Sequence, residues 1–283
     1  MYLANLNFTM KSYYLLKLTL YGVSFSTVLL NVVERVYAFV FNKPIFVHVY
    51  FRKKKLSKQK KEFLETSITF YQNLDDKHKA YFEHRVAKFI REYQFISRNS
   101  FEFTPEKKVL IAASYIKLTF GMRKYLTQTF DKIIVYPEVY YSLITEQYHK
   151  GEYNPALKII IFSWEDFLIG NIITNDNINL GIHEFSHALT FHGSKSKDVS
   201  ARIFYRKYKE ILDYVSNEGR LKQIQESNYF REYAMTNKIE FVAVIMEHFF
   251  ESPIELQQQF PKLYAKIEKM LNYRSILNQQ WSQ

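Results

Sequence analysis

Residues 179–189, NLGIHEFSHAL, constrain this chain more than any other stretch, because their pattern is coherent only as a helix with one buried face. Ile178, Ile182, Phe185 and Leu189 recur at spacings of four, three and four, which is the apolar stripe of a helix packed on a core. His183 and His187 lie off that stripe, with Ser186 and Ala188 as small neighbours. Residues four apart share a helix face, so both imidazoles can reach one ion. Glu184 sits about 100° around the helix from His183, beside such an ion instead of on it. Zinc lowers the pKa of its water to about 7, and a carboxylate at that position can take the proton. The competing reading is a pair of histidines on a polar helix face. The helix is expected from about Asn177 to Gly193.

There is no cysteine, so a metal would have to be held by His, Asp or Glu. A catalytic zinc site needs three protein ligands and an open position. The extended motif with a downstream glycine and third histidine is not met, since Thr190 and Gly193 occupy those places. His192 is one residue out of register and reads as a helix-end histidine near terminal carbonyls. The best third ligand is Glu240, which opens the apolar run Phe241–Phe250 in YAMTNKIEFVAVIMEHFFESP. A carboxylate entering a buried helix needs a partner, and an ion is one that suffices. Alternatively, Glu240 sits in the first turn because the helix dipole favours it there. Glu247 and His248, two turns on, read either as supports of the site or as surface residues.

The net charge of +11 is concentrated in RKKKLSKQKK (52–61), with seven positive charges and no acid. A local cluster without a nucleic-acid-binding signature argues against a nucleic-acid partner and for anionic lipid. It follows an apolar segment with no charge from Leu18 to Val33. A membrane helix needs about 20 apolar residues, and Lys17 can snorkel to lengthen the span; Asn31 and the Glu34–Arg35 pair oppose it. Membrane association through residues 12–42 and the basic run is therefore expected, with the following domain cytoplasmic by the positive-inside rule. The alternative is a buried or interfacial helix in a soluble cytoplasmic protein. The chain divides on this reading into residues 1–62, the apolar helix and basic segment, and 63–283, one α+β domain.

Within that domain, residues 61–96 pattern as amphipathic helix with a turn near Asn73–Asp76. Thr104, Pro105 and Glu106 signal a helix start, and the helix ends near Gly121. KIIVYP (132–137) and LKIIIFSW (157–164) read as strands, joined by a loop or hairpin. Helices then continue to the end, broken near Asn228 and at Ser252–Pro253.

Seven segments in consistent order over roughly residues 65–270 resemble the M90 family of zinc peptidases. They are HRVAKFI (84–90), KVLIAA (108–113), VYP (135–137), FSW (162–164), HEFSHAL (183–189), YAMTNKIEFVAVIMEHFFESP (233–253) and FPKLY (260–264). The resemblance implies a gluzincin-like zincin core, mostly helical with a small sheet, and aminopeptidase-type hydrolysis of peptide or protein substrates. It implies one Zn2+ on His183, His187 and Glu240, with Glu184 as general base. Tyr233, seven residues before Glu240, maps to a tyrosine that aids the tetrahedral intermediate. The apolar N-terminus departs from the family's soluble founding member, so no regulatory partner is carried over. The runner-up function is a regulatory protein that sequesters a partner around a mainly structural zinc; intact Glu184 favours the enzyme. The strand KIIIFSW is a candidate edge for an extended substrate, or an ordinary core strand.

Overall fold

The computed structural model describes residues 2–142 and 145–273, with residues 2–12 as backbone. The chain divides into two units, Met1–Ile45 and Phe46–Gln283. The first unit is one long helix, α1 (Tyr2–Phe41). Its stretch Tyr13–Phe41, with a mean hydropathy of 1.5, is long and apolar enough to cross a membrane. The basic run 52–61 belongs to the second unit and leads into α2 (Lys58–Ser67).

The second unit is α+β, mostly helical with a small mixed sheet. A short α3 (Thr69–Gln72) and α4 (Asp76–Glu92) follow α2, and α4 starts where the Asp75 side chain accepts the His78 N–H. The helical pattern expected to reach residue 96 stops earlier, and Gln94–Ser97 forms strand β1. Phe95 and Ile96 suit either structure locally; parallel pairing with β2 (Lys132–Tyr136) decides it. Between them, α5 (Pro105–Thr119) makes the crossover, started as anticipated by Thr104 capping the Lys107 N–H.

The hairpin β3 (Tyr140–Ser142) and β4 (Gln147–His149) stands apart as a two-stranded sheet. Strands β5 (Gly151–Asn154) and β6 (Ile159–Ser163) complete the main sheet in the order β1-β2-β6-β5. The first three strands run parallel and β5 is antiparallel. IIIFS (159–163) is thus a central strand, buried throughout, and β1 and β5 are the edges.

A helix absent from the sequence reading, α6 (Trp164–Ile172), follows directly. Its signal was present: Ser163 caps the Asp166 N–H, and Glu165 and Asp166 occupy the first turn. Then come α7 (Leu180–Lys195), α8 (Val199–Val215), α9 (Glu218–Glu226) and a 3-10 turn at Glu232–Met235. The chain continues in α10 (Lys238–Glu251), α11 (Pro253–Gln259) and α12 (Pro261–Leu271).

The core lies between the sheet and α5, α7 and α10. Phe185 of α7 sits at its centre, 5.1 Å from the Tyr115 ring and 5.4 Å from Phe162. Arg85 is wholly buried, and its guanidinium donates to the carbonyls of Thr119, Phe120 and Met122 at 2.8–3.0 Å. These carbonyls lie at and just past the end of α5, where a cation is favoured. Its Nε also donates to the Tyr50 hydroxyl at 2.6 Å.

Candidate metal centre

Helix α7 begins where the Asn179 side chain accepts the Ile182 N–H at 3.0 Å. Ile182, Phe185 and Leu189 are buried as the stripe predicts. Ile178 is not: it precedes the helix and is 55% exposed, so the stripe starts one member later than its spacing suggests. Anchored by that stripe, α7 turns His183 and His187 to the opposite side, with ring centroids 4.8 Å apart.

Helix α10 packs against α7 and brings Glu240 to them. Asn237 caps its start by accepting the N–H groups of Ile239 and Glu240, which sets Glu240 in the first turn. One carboxylate oxygen of Glu240 then lies 2.8 Å from His183 Nε2 and 3.5 Å from His187 Nε2. One ligand atom from each of the three residues falls within a 4.8 Å span. Two imidazoles and a carboxylate are the donor set of a catalytic zinc site, and this geometry fits one ion between them.

The support behind His183 comes from Glu247, one helical face along α10 and 1% exposed. Its Oε1 accepts from His183 Nδ1 at 2.8 Å. A carboxylate only accepts, so Nδ1 carries a hydrogen and Nε2 is turned toward Glu240 and His187. Arg231 holds Glu247 through both oxygens, at 2.7 and 3.2 Å, and the Asn179 backbone N–H donates to it at 2.7 Å. The sequence left Glu247 between support and surface; its burial and partners make it a support. Arg231 and Asn179 were missed, although an asparagine just ahead of an apolar helical stripe is a readable cap signal.

The charges agree with a cation site. Burial disfavours protonation of His183, but its bonds to Glu240 and Glu247 outweigh this and raise it to about 10. Burial alone would raise Glu240, yet the two histidines hold it well below the usual carboxylate range. The field that draws a proton onto Nε2 equally favours a divalent ion there, which releases that proton on binding.

Glu184 is 7% exposed and lies against the edge strand β5. Burial pushes its carboxyl above the ordinary range, opposed by His183 and His187 and reinforced by Glu240. Tyr233 sits in the 3-10 turn, half exposed, its ring centroid 5.8 Å from that of His183. Burial and the Glu240 charge raise its hydroxyl to about 12, so it stays a donor at neutral pH. The five residues assigned to the site from the sequence, His183, Glu184, His187, Tyr233 and Glu240, therefore lie together. His192 does not join them, and its Nε2 is buried with no hydrogen-bond partner among the described residues.

An uncharacterized protein of Synechocystis sp. is 27% identical over 230 residues, covering 75% of this chain and 82% of the relative. The description of the family whose sequence pattern matches residues 47–273 is "Glucose-regulated metallo-peptidase M90". That range takes in both helices of the cluster and nearly all of the second unit, and the chain belongs to this M90 metallopeptidase family.

Proposed function

We propose that the second unit is a zinc-dependent peptidase that hydrolyses peptide bonds, with the aminopeptidase-type activity implied by its family resemblance. The observation that carries this reading is the meeting of His183, His187 and Glu240 with Glu184 against an edge strand. His183, His187 and Glu240 would hold one Zn2+, which supplies Lewis acidity for the attacking water and the scissile carbonyl. Glu184 accepts the proton of the attacking water and passes it to the leaving amine. Burial raises its pKa, which makes the carboxylate a stronger base for that proton. Tyr233 donates a hydrogen bond from its hydroxyl to the oxygen where negative charge develops. Glu247 keeps His183 in one tautomer, and the outer edge of β5 receives the substrate as an extended strand. A site serving only as a structural clamp has no need of Glu184 beside that edge, which favours hydrolysis over partner sequestration.

The apolar α1 would anchor the protein in a membrane, and the exposed positive charges of residues 52–61 favour a cytoplasmic second unit. The test of the chemistry is Glu184→Gln, assayed on a peptide library with metal analysis in parallel. Hydrolysis should be lost while zinc stoichiometry stays at the wild-type value. Retained hydrolysis would sink the assignment.

A further inference from the structure

A cavity of about 270 Å³ lies between the α2–α4 region, α5, α6 and the end of α10, and its lining includes none of His183, His187 and Glu240. Pockets for drug-sized ligands run from roughly 300 to 1,000 Å³, so this one suits a smaller molecule. Phe70, Phe249, Phe250, Tyr264 and Tyr273 give it an apolar wall. Two charged side chains of opposite sign line it as well, Lys117 and Glu251.

Each charge is offset in part by the other, yet neither head group has a full set of hydrogen bonds among the described residues. Glu251 Oε1 accepts from Asn179 Nδ2 at 3.0 Å, while Oε2 is buried with no hydrogen-bond partner among the described residues. The Lys117 ammonium stands 5.1 Å from the Phe250 ring centroid, and it forms no ion pair among the described residues. Burial pushes the Glu251 carboxyl up to about 7 and the Lys117 ammonium down to about 8, and outweighs the opposing pull of Asn179 on Glu251 and of the two charges on each other. A buried polar group of this kind calls for a partner. A ligand that completes both must carry an anion for Lys117, a donor cation for Glu251 and an apolar body for the aromatic wall.

We propose that this cavity binds a free α-amino acid with an apolar side chain, its carboxylate on Lys117 and its ammonium on Glu251. The cavity shares Asn179 with the support of His183, since that residue's side chain meets Glu251 and its backbone N–H meets Glu247. The binding itself does not depend on the peptidase reading.

The test is calorimetric titration of the full-length protein with phenylalanine, phenethylamine and 3-phenylpropionate, the latter two lacking one charge each. Phenylalanine should bind saturably, and each analogue at least about tenfold more weakly. Glu251→Gln and Lys117→Met should each weaken phenylalanine binding by a similar factor while melting stays cooperative. If either variant fails to fold, the analogue series on the wild type decides. His187→Ala should leave phenylalanine binding intact, which separates this cavity from the metal site. No saturable heat, analogues binding as well as phenylalanine, folded variants that bind normally, or loss of binding in His187→Ala would each overturn the proposal.

Discussion

Gly151 of the edge strand touches Glu184 so closely that a Cβ there would stand 3.0 Å from the Glu184 Cγ and 3.1 Å from its Oε1. It would also meet the Leu180 Cδ1 at 2.7 Å. The absence of a side chain at position 151 is what lets the carboxylate lie against the strand. Gly151→Ala should therefore lower kcat by about tenfold or more, because misplacing a reacting group by a fraction of an ångström is costly. Zinc content should stay unchanged. Steady-state kinetics with metal analysis checks this, and normal kcat would show that the two need not touch.

Glu247 bonds His183 Nδ1 and would act on an ion only through that residue. Glu247→Gln keeps the shape but weakens the grip on Nδ1 and leaves Arg231 without its carboxylate. Groups in this position typically contribute 10–100-fold in metal affinity. Zinc competition with a chromophoric chelator should show a loss in that range, and a larger one for Glu240→Ala, which removes a ligand. Equal affinity in both variants and the wild type would place the ion elsewhere.

Three histidines outside the site make the fold acid-sensitive. Burial is the main cause holding His84 and His248 down at about 4 and His48 at about 2. In the unfolded chain each titrates near 6.5. Above that pH neither state is protonated and the histidines cost nothing. As pH falls from 6.5 toward 4, only the unfolded chain takes up the protons, so stability is lost by up to about 1.4 kcal/mol per pH unit for each group. His84 accepts the Lys54 N–H at 2.7 Å, a bond that His84→Gln can keep. Denaturant melts from pH 7 to pH 5 should show a shallower decline in that variant.

The start of the second unit can be tested by truncation. Deleting residues 1–45 removes α1 and should give a folded protein that remains in the aqueous phase. Deleting residues 1–62 also removes Tyr50, which accepts from the buried Arg85. A hydrogen bond to a charged group is worth about 1.5–3 kcal/mol, and its loss leaves that part of a buried charge unmet. The shorter protein should melt at a distinctly lower temperature than the longer one. Identical melts would mean that residues 46–62 add nothing to the fold.

The site was more legible than the fold around it. The candidate metal ligands lie on two helices whose periodicity and caps are local properties, so His183, His187 and Glu240 were readable without tertiary contacts. β1 was not, because Phe95 and Ile96 satisfy a helix end as well as a strand, and only pairing to Lys132–Val135 discriminates. The role of β6 stayed open for the same reason, since edge or centre depends on the neighbour and not on the strand. Arg231 was hidden because its partner Glu247 lies 16 residues away on another element. Gly151 gave no signal at all: its meaning is a distance to Glu184.

His183 and Glu240 are separated by 57 positions in the chain, yet their side chains meet. An ion held there works as a removable cross-link between α7 and α10, closing a long loop much as a disulfide would in a chain that has no cysteine. On the proposed function, metal supply would set how long the protein survives as well as how fast it works. A cell short of zinc would hold less of it, and the remainder would be easier prey for other proteases.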